Sequence, residues 1–231
     1  MKNNDTQSRL AADRQFLWHP FTQMQDWADS SQLVIERGEG NWLIDSDGNR
    51  YLDGVSSLWT NVHGHRKAEL DRAVISQLGE IAHTTLLGLS TPRAIELAER
   101  LVQLAPKGLS KVFYSDSGST SVEIALKMAF QFHQQNGSKH KTTFVRMSNA
   151  YHGDTIGAVS LGGIDLFHAT YRELLFPSIQ APHPHCYRCP LSQSYPSCGL
   201  ACFDRLKDLV QENRESIAAL IVGAFVLTTA V

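Results

Sequence analysis

An apolar segment that leads directly into a turn of small residues and then into a helix most constrains the fold of this chain. Residues 112–114 predict a short strand, and residues 115–120 are small, hydroxylated or acidic. One helical face follows, formed at the i, i+3, i+4 spacing by Val122, Ala125, Leu126, Ala129 and Phe130. A strand that ends directly at a helix is typical of α/β proteins.

The start of this predicted helix is a candidate anion site. The first N–H groups of a helix have no partner inside the helix and lie at the positive end of its dipole. Gly118 would let a phosphate approach the backbone, and the hydroxyls of Ser119 and Thr120 could donate to it. Alternatively, Ser117 or Ser119 only caps a core helix, since the usual glycine patterns for nucleotides are absent.

A second motif, Asn149-Ala-Tyr-His-Gly-Asp154, follows the apolar run at 143–147, which predicts the next strand. Strand, helix and strand form one βαβ unit, and ligands of such sheets lie at the carboxyl ends of the strands. Tyr151 is therefore expected at the same edge as Gly118 and Ser119, where its ring could stack on a flat cofactor. The motif could equally be a tight turn with a polar cap.

Two carboxylates flank these motifs. We expect Asp116 to brace the phosphate loop, because it lies between the predicted strand and the helix start. Asp154 could orient Tyr151 or cap the next segment, and we favour the second role because aspartate is a common N-cap residue.

These segments resemble the class III, fold-type I aminotransferases that depend on pyridoxal 5'-phosphate. The matching segments are His19-Pro-Phe-Thr-Gln-Met24, Tyr51-Leu-Asp-Gly-Val-Ser-Ser-Leu-Trp59, Asn61-Val-His-Gly-His65, Tyr114-Ser-Asp-Ser-Gly-Ser119 and Tyr151-His-Gly-Asp154. The resemblance covers about residues 16–222. It implies an α/β fold with a mostly parallel, truncated large-domain sheet flanked by helices, and an antiparallel N-terminal segment of the small domain.

The implied domain organisation places residues 1–60 in the small domain and at the edge of the substrate pocket. Residues 61–231 would then be an incomplete large domain that binds the cofactor. Strands are predicted at 34–37, 42–45, 51–52 and 218–222, with a turn at 45–48. Helices are predicted at 69–82, 92–104 and 203–215.

The resemblance also assigns site residues. By similarity, Gly118 and Ser119 hold the cofactor phosphate, and Tyr151 lies against both the cofactor and the substrate. The substrate pocket further includes the residues that match its motifs in this sequence, Phe21, Leu58 and Trp59. Many members have Tyr in place of Phe21 and Trp in place of Leu58, so two polar groups are missing here and the amino donor stays open.

Within the family, the chain is most similar to members that act in biotin synthesis. The implied reaction transfers an amino group to 8-amino-7-oxononanoate and gives 7,8-diaminononanoate, with S-adenosylmethionine or lysine as the donor. The family's Schiff-base lysine and the aspartate beneath the pyridine nitrogen match no position of this chain. Lys127, Lys139, Lys141 and Lys207 lie in the wrong contexts to replace that lysine. We therefore expect no catalytic residue in this chain and no activity from it alone.

The segment after residue 222 departs from the family's pattern. Where the family continues with Glu-Pro and a glycine-rich turn, this sequence has Gly223 and an apolar stretch. We interpret residues 223–231 as an out-of-frame or artificially ended tail. The alternative function is therefore a non-catalytic fragment that retains only dimerisation or metal binding.

Composition restricts the partners. The 231 residues are 42% hydrophobic and 19% charged, with a net charge of −2, which gives no electrostatic argument for nucleic acid or membrane binding. Residues 1–20 lack the apolar core of a signal peptide. We expect a cytoplasmic protein that acts on small molecules, and the resemblance implies a homodimer.

All four cysteines fall in a loop at residues 182–202, which is rich in Pro, His and Cys. They are Cys186, Cys189, Cys198 and Cys202. Thiols at this spacing could surround one tetrahedral zinc ion. We favour a reduced surface loop without metal, because the implied chemistry needs none and disulfides are rare in cytosolic proteins.

Overall fold

A computed structural model describes residues 4–223 of the chain. Within this part, the chain forms two compact units, the first ending at Glu99 and the second beginning at Arg100. The division expected from the sequence, between residues 60 and 61, concerns the family's domains and stays a prediction. No helix in the described part is long and apolar enough to cross a lipid bilayer.

The first unit combines helices with a small antiparallel sheet. The helices are α1 (Asn4–Phe16), α2 (Met24–Asp29), the single turn α3 (Ser56–Trp59), α4 (Ala68–Glu80) and α5 (Pro92–Leu104), which runs into the second unit. The strands are β1 (Ile35–Glu39), β2 (Trp42–Asp45) and β3 (Arg50–Leu52), paired in that order.

A buried aspartate organises the turn between β2 and β3. Asp45 accepts hydrogen bonds from the backbone N–H of Asp47 (3.0 Å) and Asn49 (2.8 Å) and from the Tyr51 hydroxyl (2.9 Å). Bonds from Asn49, above all, hold the pKa of Asp45 below its ordinary value. Gly48 adopts a φ of +85°, which glycine reaches at little cost. The turn predicted at 45–48 is confirmed.

The second unit is built around a parallel sheet. Its helices are α6 (Gly118–Gln135), α7 (Ile156–Ser160), α8 (Asp165–His168) and α9 (Ala201–Glu212), with 3₁₀ turns at Ala169–Leu174 and Cys186–Arg188. The strands are β4 (Thr143–Met147), β5 (Ile179–Ala181) and β6 (Ile217–Leu220), in the order β5-β4-β6. Both pairings of the central strand β4 are parallel.

The central strand is covered on both faces. Phe144 packs with Leu126 of α6, and its neighbour Val145 packs with Leu209 of α9. Successive side chains of a strand point to opposite faces, so the two helices cover opposite sides of the sheet. Val145, at the middle of β4, and Leu161 are fully buried, one in each of the two core clusters.

Most predicted elements are confirmed within a few residues at their ends. The helix at 92–104 and the strand at 143–147 have the predicted bounds, and α4, α9 and β6 shift by one to three residues at an end. Helical and strand periodicity extends over enough residues in these segments to define the element, although hydrogen bonding decides its ends.

The strand predicted at 112–114 is wrong. The structure assigns no strand to these residues. A strand is defined by backbone pairing, which three apolar residues alone do not determine. The predicted face of α6 is also narrower than expected. Leu126 is buried and Val122 and Ala129 pack against it, whereas Ala125 and Phe130 are exposed in the described structure.

Candidate functional site

The start of α6 is closed by a reciprocal cap. The Thr120 N–H donates to Ser117 Oγ (3.2 Å), and the Ser117 N–H donates to Thr120 Oγ1 (3.0 Å). The Ser121 N–H donates to the Ser117 carbonyl. Between residues 4 and 223, no acceptor bonds the N–H groups of Gly118 and Ser119, so the capped helix start still presents two free donors at its positive end.

Asp116 braces this loop, as predicted. Thr120 Oγ1 donates to Asp116 Oδ1 at 2.9 Å, and this bond, with others, holds the pKa of Asp116 below its ordinary value. The carboxylate is therefore ionised and directed toward the hydroxyl of Thr120, and it stabilises the cap.

The loop that carries Tyr151 lies against the start of α6. The Asp154 N–H donates to Ser119 Oγ (3.2 Å), and the Tyr151 hydroxyl donates to Asp154 Oδ2 (2.8 Å). The role that we favoured for Asp154, capping the next segment, is wrong. Its carboxylate holds Tyr151 instead, and the N-cap residue of α7, Thr155, makes no side-chain cap hydrogen bond. Burial, and then the bond to Asp154, raise the pKa of Tyr151 to about 12.

Two glycines give this site one closed and one open side. Gly153 has a φ of +118°, and a Cβ built on it would lie 2.0 Å from Ser119 Oγ. Only glycine allows the loop to approach α6 so closely. Around Gly118, a Cβ would meet no atom within 4 Å, so the backbone at the helix start faces open space.

The segment α3 is a left-handed turn. Its four residues have φ values of 51°, 49°, 62° and 68°, in chain order Ser56, Ser57, Leu58 and Trp59. Each L-residue in this conformation costs about 1–2 kcal/mol relative to a right-handed one. Leu58 and Trp59 are 67% and 53% exposed, so the turn displays both apolar side chains instead of burying them.

Asp53 bonds to this turn and His65 bonds to Asp53, and the sequence did not predict either contact. Asp53 Oδ1 accepts from the Ser57 N–H (2.8 Å), and Asp53 Oδ2 accepts from Ser57 Oγ (2.8 Å) and from His65 Nε2 (2.8 Å). The hydrogen bond from the Ser57 N–H is the main reason that the pKa of Asp53 lies below its ordinary value. An aspartate a few residues before a serine is a weak signal for such a contact.

The predicted site residues divide between the two units. Phe21, Leu58 and Trp59 lie in the first unit, and all three have a positive φ, which is 50° at Phe21. Phe21 is 85% exposed. The second unit holds Tyr151 together with the start of α6, and the structure brings these two features together.

The four cysteines line one small cavity of about 50 Å³, together with His183 and His185. All four are free thiols. Within the described part of the chain, no three His, Cys, Asp or Glu side chains are placed so that they could hold a metal ion.

Comparison with known proteins defines the class to which this fold and site belong. The profile of the family described as aminotransferase class-III matches residues 23–228. The chain belongs to this family, and the resemblance inferred from its motifs is confirmed.

Individual relatives show which members of the family the chain is similar to. The chain is 52% identical over 227 residues to the adenosylmethionine-8-amino-7-oxononanoate aminotransferase of Geobacter sulfurreducens, a match that covers 98% of this chain and 50% of that protein. The crystal structure of the enzyme of the same name from Methanocaldococcus jannaschii matches with a TM-score of 0.84 and 41% identity, over 94% of this chain and 47% of that one. The chain spans about half the length of the curated relatives it matches.

An amine transaminase from an uncultivated Pseudomonas species, solved in its PLP-bound form, is also similar. It matches with a TM-score of 0.80 and 36% identity, over 89% of this chain and 47% of that one. The predicted α/β fold class is confirmed by these structures.

Proposed function

We propose that this chain carries the phosphate-binding part of a pyridoxal-phosphate-dependent aminotransferase. The observation that carries the proposal is the start of α6, where the N–H groups of Gly118 and Ser119 are free and a Cβ at Gly118 would meet no atom within 4 Å. The loop that carries the half-exposed Tyr151 bonds to Ser119 at this point. A phosphate monoester needs such donors and a close backbone approach. The residues present therefore fit the phosphate end and the flat ring of this cofactor.

Each residue of this site would have a distinct role. The N–H groups of Gly118 and Ser119 would donate to phosphate oxygens, and the helix dipole would favour the negative charge. Ser119 Oγ accepts from the Asp154 N–H, so its own proton is free to be donated. When bound, the cofactor supplies the carrier for the amino group and the sink for electrons.

Tyr151 would stack on the cofactor ring and contact the substrate. Its hydroxyl donates to Asp154, which fixes the direction of the ring. With a pKa of about 12, the hydroxyl stays protonated at neutral pH. It would therefore act as a hydrogen-bonding group that orients the ring, and not as a base.

We propose 8-amino-7-oxononanoate as the amino acceptor of the whole protein, with 7,8-diaminononanoate as the product. The names of the relatives support this assignment. The exposed apolar side chains of Phe21, Leu58 and Trp59 suit the aliphatic chain of this acceptor. The donor would be S-adenosylmethionine or lysine.

This chain would contribute binding but no catalytic lysine, so the 231 residues alone would be inactive. The family's Schiff-base lysine matches none of the positions present. We further propose that the whole protein is a homodimer in the cytoplasm. The chain spans about half the length of its relatives, and the proposal assigns the lysine to the part of those proteins that this chain does not cover.

Cofactor binding by the chain tests the phosphate site. We expect pyridoxal phosphate to bind more tightly than pyridoxal, which lacks the phosphate, in equilibrium dialysis. Inorganic phosphate should compete, and borohydride should fix no stoichiometric adduct at a single lysine. Equal binding of the two vitamers would contradict the phosphate site, and a single stoichiometric lysine adduct would contradict the absence of a catalytic lysine.

A hybrid protein tests the activity. Residues 1–222 of this chain are joined to the part of the Geobacter sulfurreducens relative that follows its residue aligned with residue 222. We expect the hybrid to form 7,8-diaminononanoate from 8-amino-7-oxononanoate with one of the two donors. A folded, cofactor-loaded hybrid that uses neither donor would contradict the assignment and favour a non-catalytic fragment.

A further inference from the structure

We propose that Asp53 and His65 are positioning residues that hold the left-handed turn α3 in place and thereby direct Leu58 and Trp59 toward the substrate. The substrate in this statement rests on the proposed function. The contacts that hold the turn do not, and they can be tested without activity.

The turn does not hold itself. Inside the turn, the Trp59 N–H donates to the Val55 carbonyl (2.8 Å), and the N–H groups of Thr60 (3.0 Å) and Asn61 (2.9 Å) donate to the Ser56 carbonyl. The Thr60 hydroxyl donates to the Ser57 carbonyl (3.1 Å), and the Ser56 N–H donates to the Asp53 carbonyl (3.2 Å). A right-handed turn would offer similar bonds without the clash between Cβ and carbonyl oxygen. Four successive non-glycine residues at positive φ therefore need support from outside the turn.

Asp53 supplies this support from a buried position. Its side chain is only 5% exposed, and both carboxylate oxygens accept hydrogen bonds, with Ser57 providing an N–H and a hydroxyl donor. Bonds to an ionised carboxylate are about twice as strong as neutral ones. Both donors belong to the second residue of the turn, so the carboxylate fixes its backbone directly.

His65 connects the carboxylate to the β1–β2 hairpin. Its Nε2 donates to Asp53 Oδ2, and its backbone N–H (2.7 Å) and carbonyl (3.2 Å) bond to Gly40 at the end of the hairpin. The ring lies over Gly38, where a Cβ would come within 2.4 Å of its Cγ. The glycine in β1 therefore makes room for this ring.

These contacts form one continuous path from the hairpin to the displayed side chains. The hairpin fixes His65, His65 and Asp53 fix Ser57, and Leu58 and Trp59 follow Ser57 directly. Neither Asp53 nor His65 projects with the displayed pair, since their side chains are 5% and 16% exposed. Asp53 and His65 therefore affect a ligand only by holding the turn, as positioning residues do.

Hydrogen exchange tests the path in the chain as it is. In Asp53→Ala we expect the amides of Trp59, Thr60 and Asn61 to exchange about tenfold faster or more, while peptides of α6 and β4 are unchanged. Matched controls are Asp71→Ala and His63→Ala, whose side chains are exposed and bond to nothing within the described part. Unchanged exchange in Asp53→Ala would overturn the proposal.

A second substitution separates positioning of the turn from general damage. Glycine adopts a positive φ at little cost, so Ser57→Gly added to Asp53→Ala should restore most of the lost protection. His65→Ala should loosen the turn and His65→Gln, which keeps a side-chain donor, less so. If Asp53→Ala loosens the whole first unit and Ser57→Gly restores nothing, the carboxylate has a general structural role and the proposal is wrong.

The kinetic consequence is measured in the active hybrid. Asp53→Asn, which keeps the size but removes the charge, should raise KM for 8-amino-7-oxononanoate about tenfold with a smaller change in kcat. An inactive parent hybrid would contradict the proposed function. The hydrogen-exchange result alone would then test whether Asp53 and His65 hold the turn. A normal KM in an active hybrid whose turn is loosened would overturn the link to the substrate.

Discussion

The start of α6 and the left-handed turn α3 present the proposed site residues by different means. At α6, an ordinary cap made by Ser117 and Thr120 leaves two N–H groups free, and the exposed backbone follows from helix geometry. At α3, the backbone is unfavourable for L-residues, and a buried carboxylate with a histidine from another segment holds it. The first site is local in sequence, whereas the second depends on the packing of a hairpin.

The difference shows where strain is tolerated. A phosphate site needs donors and open space, which a capped helix provides without strain. A pocket wall needs side chains at fixed directions, and a left-handed turn places two neighbouring apolar side chains on the outside. Strained backbone persists only where the surroundings determine it fully, as Asp53 and His65 do here.

The largest expected effect separates binding from folding at α6. Gly118→Leu should weaken pyridoxal phosphate binding by roughly 100-fold, about 2.7 kcal/mol, because a large side chain fills the space where the phosphate approaches. The fold should tolerate it, since a Cβ at this position meets nothing within 4 Å. Equilibrium dialysis and a thermal melt measure the two quantities.

The matched control is Gly79→Leu, at a position in α4 with equally open space. It should leave both the affinity and the melting temperature nearly unchanged. Unchanged affinity in Gly118→Leu would show that the phosphate binds elsewhere, and would remove the contrast between the two regions.

The next effect tests the close approach of the Tyr151 loop to α6. Gly153→Ala should destabilise the second unit by about 2 kcal/mol, because the conformation is strained and the new Cβ collides with Ser119 Oγ. Gly108→Ala is the control, since Gly108 has a similar φ of +104° and open space around it. Gly108→Ala introduces the backbone strain without a collision. The difference in unfolding free energy between the two variants, measured in denaturant melts, therefore reports the collision with Ser119. Equal losses would mean that the contact is unimportant.

The sequence predicted the first region better than the second for a physical reason. Helices such as Pro92–Leu104 have a repeated pattern over many residues, and the cap at Ser117 follows from small residues in one short segment. The motif at 56–59 was assigned by resemblance only, and nothing in Ser-Ser-Leu-Trp predicts a positive φ. That conformation comes from Asp53 and His65, whose contacts exist only in the folded unit.

Two errors have the same origin. The structure assigns no strand to the three apolar residues at 112–114, and strand formation depends on neighbours that a short pattern does not define. Asp154 precedes a helix, as a cap would, yet it bonds the Tyr151 hydroxyl. In both cases, the local pattern allowed more than one outcome, and contacts across the fold selected between them.

A smaller change in unfolding free energy should have opposite signs in the two regions. Ser117→Ala removes the cap of α6 and should destabilise the second unit by about 1 kcal/mol. Ser56→Gly should instead stabilise the first unit by about 0.5–1 kcal/mol, because glycine avoids the left-handed penalty while the unfolded chain gains some entropy. Denaturant melts measure both. Destabilisation by Ser56→Gly would show that α3 is less strained than its φ values indicate.

The smallest effect concerns two tyrosines, one in each unit. The pKa values of Tyr51 and Tyr151 are both raised, but the bond to Asp45 is the main cause at Tyr51, whereas burial is the main cause at Tyr151. Asp45→Asn should therefore remove most of the shift at Tyr51, and Asp154→Asn should leave much of it at Tyr151. Tyrosine absorbance after a rapid pH jump, with each Tyr→Phe variant as the blank, reports both values.

The raised value at Tyr151 also sets the sign of a stability change. A tyrosine whose pKa is higher in the folded state stabilises the fold below its unfolded pKa of about 10, and this contribution is lost as the pH rises to about 12. Wild type should therefore lose stability between these values faster than Tyr151→Phe, by a small amount because the ring is half exposed. Identical alkaline melts of the two proteins would show that Tyr151 ionises as in the unfolded chain, and that Asp154 does not hold its hydroxyl in solution.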